Sequence, residues 1–210
     1  MKGCLTRRGR EGYHFVEPSR AQGACAKRKP VLATTPMHEL TLHPSCKPST
    51  IEQIRAECRP TQHGCMAKFR VFGPTADLAI PVASAPKRQD DLWKTTCFEI
   101  FWQGDDQEAY CEFNLSPSGE WAAYRFDDYR AGRQEVAVET ISVSSGHDEG
   151  SLMLVADIGV DLPVPARVGL SAVIEEGGML RYYALTHSDD APDFHAPASR
   201  TLRIEPATVA

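Results

Sequence analysis

The chain has 210 residues, is 42% hydrophobic and 24% charged, and holds 15 glycines and 15 prolines, which suits one folded domain and excludes wholesale disorder, collagen and a coiled coil. No run approaches the roughly 18 consecutive apolar residues of a bilayer-spanning helix, so no membrane span is expected. The net charge of −5 is unevenly spread: residues 1–30 hold eight Lys/Arg against Glu11 and Glu17, a balance of +6, and the rest, with 15 bases and 26 acids, stands at −11. That acidic body would repel a phosphate backbone, so nucleic acid is not an expected partner.

In chain order, residues 1–36 form a basic arm without periodicity and are expected to be disordered. Met1 to Cys25 contains no apolar stretch of secretory length. The seven cysteines are odd in number and show no close-spaced pairing pattern, so reduced thiols in a cytoplasmic protein are expected. Cys58, His63 and Cys65 lie close together but lack the second ligand pair that structural zinc requires, and no metal is expected.

From Met37 the hydrophobic period is mostly two. Strands are expected at Glu39–His43, Met66–Phe72, Cys97–Trp102, Ala109–Leu115, Trp121–Phe126, Val136–Val143, Leu152–Ile158, Val168–Glu175, Leu180–His187 and Thr201–Ile204. Gly104-Asp105-Asp106, Ser116-Pro117-Ser118-Gly119 and Gly177-Gly178 are among the turns between them. One short helix is expected over Thr50–Glu57, where Ser49 and Glu52 have capping-box spacing and Ile51 and Ile54 would share a face. The expected fold is all-β: an antiparallel β-sandwich of about ten strands with one short helix near the N-terminal side, spanning residues 37–205, with 206–210 as a tail.

Side chains alternate between the faces of a sheet. If Phe98, Ile100 and Trp102 enter the core, Cys97, Glu99 and Phe101 take the opposite face. On the next strand Cys111, Phe113 and Leu115 would point inward and Tyr110, Glu112 and Asn114 outward. An inward Ala122, Tyr124 and Phe126 would leave Trp121, Ala123 and Arg125 outward. Glu99, Glu112, Asn114, Trp121 and Arg125 would then converge on one face, although a one-residue register slip reverses any strand. Two neighbouring carboxylates repel each other, and an arginine between them would relieve the cost. Carboxylates, an amide and a guanidinium beside exposed aromatics such as Trp93 offer directional partners to hydroxyl groups and a flat surface to a sugar ring.

The segments Asp91–Glu99, Tyr110–Trp121 and Tyr124–Arg130 resemble the DOMON-like domain family and, more distantly, family 9 carbohydrate-binding modules. The later segments Gly169–Glu175, Tyr182–His187 and Pro192–His195 fit the same pattern. The resemblance spans about Met37 to Ile204. It implies a β-sandwich that binds a sugar or heme without catalysis. In sugar-binding relatives a Trp ahead of the strand stacks on the ring and a Glu on that strand accepts hydroxyl bonds, positions that Trp93 and Glu99 match; Arg125 and Asn114 are looser matches. Heme-binding relatives use Met with His, or Met with Lys, as axial ligands, and Met66, Met153, Met179, His187 and His195 are available here for heme b.

The principal expectation is therefore a non-catalytic domain that binds a small sugar or glycoconjugate through Trp93, Glu99, Glu112, Asn114, Trp121 and Arg125, with His187 and His195 at the rim and no resident cofactor. The alternatives are a heme-binding domain and a glycoside hydrolase using Glu99 and Glu112.

Overall fold

The computed structural model describes residues 36–188 and 191–206. Apart from Pro36 and Pro206, the basic arm and the C-terminal tail lie outside the described residues. Among the described residues twelve strands follow in order: β1 (His38–Leu42), β2 (Gln53–Thr61), β3 (Gly64–Phe72), β4 (Cys97–Gly104), β5 (Tyr110–Leu115), β6 (Trp121–Phe126), β7 (Gln134–Glu135), β8 (Thr140–His147), β9 (Ser151–Gly159), β10 (Ala166–Glu176), β11 (Met179–Ala184) and β12 (Leu202–Ile204). The pairings between these strands are all antiparallel.

The sandwich expectation is corrected to one continuous sheet, ordered β7-β6-β5-β4-β10-β11-β1-β2-β3-β9-β8, with β12 on β10 off this path. Strand β1 makes the continuity: His38, Glu39 and Leu40 pair with β2, and Thr41 and Leu42 pair with β11. The sheet curls strongly. Phe69 on β3 and Phe98 on β4 are five steps apart in the strand order, about 24 Å on a flat sheet at roughly 4.8 Å per step. Their ring centroids are 4.9 Å apart, so the sheet wraps as a half-barrel around a core that includes Ile54, Phe69, Phe98, Ile100, Trp102 and Leu154.

The helix expected over Thr50–Glu57 is absent. Ser49 Oγ accepts the Ile51 N–H at 3.1 Å, a local turn contact rather than a capping box. The Glu52 N–H donates to the Phe72 carbonyl, and pairing with β3 then runs from Gln53 to Thr61. Ile54, Ala56 and Cys58 are all fully buried, with partly or wholly exposed residues between them. A nine-residue ladder with a buried face outweighs a weak local helix signal. The helical residues that are present form two single turns, Leu92–Lys94 and Pro197–Ser199. No helix among the described residues is long and apolar enough to cross a membrane.

Gly64 shows how tightly the sheet is drawn. It begins β3 between β2 and β9, at φ 148°, and a β-carbon there would collide with the carbonyl oxygen of Ile158. Glycine relieves both the backbone and the steric demand.

Because Phe69 and Phe98 pack together across the inside of the curl, Phe69→Ala is expected to destabilise the domain by about 3–5 kcal/mol in urea unfolding. Val82→Ala, at a side chain 87% exposed, should stay within about 0.5 kcal/mol of wild type. Equal effects of the two substitutions would contradict the curled core.

Candidate functional site

Strand β4 lies between β5 and β10, and seven of its eight residues are buried. Phe98, Ile100 and Trp102 enter the core inside the curl, while Cys97 and Phe101 belong to a second apolar cluster on the other face, with Leu92, Tyr110, Tyr124, Phe126 and Phe194. Glu99 shares that second face. It stands opposite Asn114 on β5 and Ser171 on β10. Glu112 stands opposite Phe101 on β4 and Tyr124 on β6, so the two glutamates are diagonal neighbours across the β4–β5 ladder.

Loops complete the site. Asp91 and Trp93 come from the segment before β4, Arg130 and Arg133 from the loop after β6, and Phe194 and His195 from the segment before β12. Together with the strand residues they enclose a cavity of about 560 Å³, within the range of roughly 300–1,000 Å³ usual for small-molecule sites. Trp93 stands at the cavity 45% exposed.

The carboxyl groups on the cavity wall are buried and differently tied. Ser171 Oγ donates to Glu99 Oε2 at 3.0 Å. Burial, reinforced by the neighbouring charge of Glu112, pushes Glu99 up to about 8, so it is mostly protonated at neutral pH. Burial also raises Glu112, but the Asn114 Nδ2 donor at 2.6 Å and the nearby guanidiniums of Arg133 and Arg130 draw it back toward ionisation. Asn114 is 1% exposed and sits behind the cavity wall, where it positions Glu112.

His195 is fixed from both sides. The Arg130 backbone N–H donates to the Tyr110 hydroxyl at 3.2 Å, and that hydroxyl is hydrogen-bonded to His195 Nδ1 at 2.7 Å. The other ring nitrogen, Nε2, faces Glu112 Oε2 at 3.7 Å. Burial, with help from Arg130, lowers His195 to about 4, so it is neutral at pH 7 and the contact with Glu112 is not an ion pair. Asp193 ties the loops together: it accepts from Tyr129 Oη and Arg130 Nη2, both at 2.7 Å, and from the His195 N–H at 3.1 Å.

Of the residues expected at the site, Trp93, Glu99, Glu112 and His195 line the cavity and Asn114 backs it. Three do not reach it. Arg125 pairs with Cys111, and Trp121 with Leu115, so both occupy the face opposite Glu112. Arg125 is exposed beside Asp127, and Trp121 packs against the inner core. The alternation assigned to β6 is therefore reversed relative to β5, and Tyr124 and Phe126 line the cavity instead. His187 is held outside the cavity by the Thr41 carbonyl at 2.8 Å and by an edge contact with His43. The guanidiniums come from Arg130 and Arg133, and the further aromatic wall from Tyr182 and Phe194. Arg130 was within a segment carrying the family resemblance, but loop arginines carry no periodicity that would aim them at a strand face. Among the described residues no group of three His, Cys, Asp or Glu side chains is placed to hold a metal.

No family model matches the chain, the DOMON-like family included, and no curated protein matches it. Among solved structures, it is similar to a candidate carbohydrate-binding protein from Bacteroides uniformis, at 15% identity over 81% of this chain and 86% of that one, with a TM-score of 0.62. A family 9 carbohydrate-binding module from Caldicellulosiruptor kristjanssonii matches at 12% identity. In complex with glucose the match covers 80% of this chain and 83% of that one at a TM-score of 0.42; with cellotriose it covers 80% and 82% at 0.40. The first of these likenesses shows a shared fold.

The shifts of Glu99, Glu112 and His195 set a pH profile of stability. Between its ordinary 4.5 and about 8, Glu99 keeps a proton in the folded state that the unfolded chain has released, so stability falls as pH rises; Glu112 adds to the fall. Between about 4 and its ordinary 6.5, His195 binds fewer protons folded than unfolded, so its contribution rises with pH. The slopes oppose below 6.5, and the falling one alone remains from 6.5 to 8. Thermal melts should show Tm declining over pH 6.5–8, with much of that decline removed in Glu99→Gln. A wild-type Tm that climbs through this window would contradict the burial of Glu99.

Proposed function

We propose that the cavity is a non-catalytic binding site for a small saccharide or glycoconjugate. The observation that carries this reading is the pairing of two buried carboxyl groups on a wall otherwise rich in aromatic rings. A hydroxyl both donates and accepts, and Glu99, protonated, can donate to it while Glu112 accepts from it. Trp93 at the mouth offers a flat face to the C–H side of a sugar ring, and Tyr182 and Phe194 extend the apolar wall. The Bacteroides uniformis protein that shares the fold is itself described as a candidate carbohydrate binder, which points the same way.

The residues present fit a heme poorly. Of the proposed axial ligands His195 alone lines the cavity; its Nδ1 is taken by Tyr110 and its Nε2 faces a carboxyl group. Met66, Met153 and Met179 lie on β3, β9 and β11, and none lines the cavity. Glycoside hydrolysis has one observation in its favour. The arginine expected beside the glutamates, Arg125, is on the other face, and Glu99 retains the proton that a general acid needs. Turnover of aryl glycosides that disappears in Glu99→Gln would replace binding by catalysis as the function.

Calorimetric titration across a panel of mono- and oligosaccharides tests the binding reading. Trp93→Ala and Glu112→Gln should each weaken the best ligand by about 1–3 kcal/mol, the cost of a lost contact that leaves its partners unpaired. Arg125→Ala and His187→Ala, both away from the cavity, should leave affinity unchanged. No heat with any sugar, together with an unchanged Tm, would overturn the proposal.

A further inference from the structure

Two carboxyl groups are buried in the cavity wall without a lysine or arginine paired to them. Glu99 is 4% and Glu112 6% exposed, yet among the described residues no lysine or arginine lies within ion-pair distance of either. Glu176 shows the contrasting arrangement. It is similarly buried, at 5%, but faces the buried guanidinium of Arg181 at 3.6 Å and accepts the Thr50 N–H at 2.7 Å. Arg130 and Arg133 line the cavity and favour ionisation of Glu112 from a distance, but Arg130 is tied to Asp193 at 2.7 Å and Arg133 lies over the Tyr124 ring at 5.0 Å.

Each glutamate keeps one oxygen free of hydrogen bonds. Ser171 occupies Glu99 Oε2 and leaves Oε1. Asn114 occupies Glu112 Oε1, and Oε2 has His195 at 3.7 Å, beyond hydrogen-bond length. Two oxygens without hydrogen bonds, each on a side chain more than nine-tenths buried, therefore belong to a cavity lined by the rings of Trp93, Phe101, Tyr124, Phe126, Tyr182 and Phe194, with Asp91, Arg130 and Arg133 also on its wall. Ring faces attract a cation, and an ammonium is a triple donor that accepts nothing. That chemistry complements both halves of the lining at once.

We infer that the saccharide taken by this cavity carries a free amine, its ammonium seated between Glu99 and Glu112 and its ring against the aromatic wall. The inference rests on the saccharide reading and names the ligand class within it. A proton balance follows. Glu99 enters the complex as a carboxylic acid and leaves it as a carboxylate paired with the ammonium, so its proton passes to solvent. The titratable and charged groups facing Glu99 are Glu112 on β5, Cys97 on β4, Tyr182 on β11 and Arg130 in the loop after β6; of these, only Glu112 carries a charge that the ammonium would also neutralise.

The experiment is calorimetric titration of the full chain at pH 7, in two buffers of different ionisation enthalpy. The probes are glucosamine, galactosamine and mannosamine, each against its parent hexose and its N-acetyl derivative, with glucuronate and cyclohexylamine as controls. At least one amino sugar should bind tenfold or more tighter than its parent and its acetylated form, with up to one proton released per ligand and glucuronate weakest. In Glu112→Gln that preference should collapse to less than threefold, while Asp105→Asn, remote from the cavity, should retain it. An amino sugar that binds no tighter than its parent hexose, or glucuronate binding tighter than the amino sugars, overturns the amine while leaving the saccharide reading intact. Cyclohexylamine bound with no sugar bound overturns the saccharide reading, and the inference with it.

Discussion

A strand cannot send consecutive side chains to the same side, and β4 has both of its sides covered. Burying Phe98, Ile100 and Trp102 inside the curl drives Cys97, Glu99 and Phe101 to the opposite face. Hydrogen bonding to β5 and β10 then fixes what surrounds them: Asn114 and Ser171 flank Glu99, and Glu112 flanks Phe101. Each acid is thereby placed among groups that determine its protonation. An isolated buried carboxylate costs several kcal/mol, and the protein meets that cost for Glu99 by keeping it protonated.

The outer wall of the cavity is built from loops, and Asp193 is where they meet. It accepts from Tyr129 and Arg130 of one loop and from the backbone of His195 in its own. Arg130 and Tyr129 are half exposed, and such exposed contacts contribute little to stability, typically below about 1 kcal/mol each. Their consequence is geometric. They hold Arg130 close enough for its backbone N–H to reach Tyr110, and the Tyr110 hydroxyl in turn holds His195 through Nδ1. On the other side Arg88 holds Asp90 through both carboxylate oxygens, and Asp90 accepts the Tyr124 hydroxyl, anchoring one aromatic wall.

The misassigned elements share a physical cause. In β6, Trp121 and Tyr124 are both apolar enough for a core, and both end up packed, Trp121 on the inner cluster and Tyr124 on the cavity cluster. With two buried faces, hydrophobicity no longer marks the inside. The pairing of Glu112 with Tyr124, set by the hairpin through Ser116–Glu120, decides the direction instead. Residues Thr50–Glu57 failed for a different reason. Ile51 and Ile54 at helical spacing satisfy a local pattern, but the nine-residue ladder of β2 with β3 is a non-local gain that no local window contains.

The amino-acid sequence by itself determined the all-β class, nine of the strands to within a few residues, and the parity that places Glu99 and Glu112 on one face, because period two is a local property of an extended backbone. It also singled out Trp93, Asn114 and His195, through residue type and position beside those strands. Tertiary structure alone decided that the strands form one curled sheet, since that depends on β1 bonding to both β2 and β11. It decided too that Arg130 and Arg133, rather than Arg125, stand near the glutamates. Loop closure brings them there from segments without periodicity, and the protonation of Glu99 follows from the burial that this closure completes.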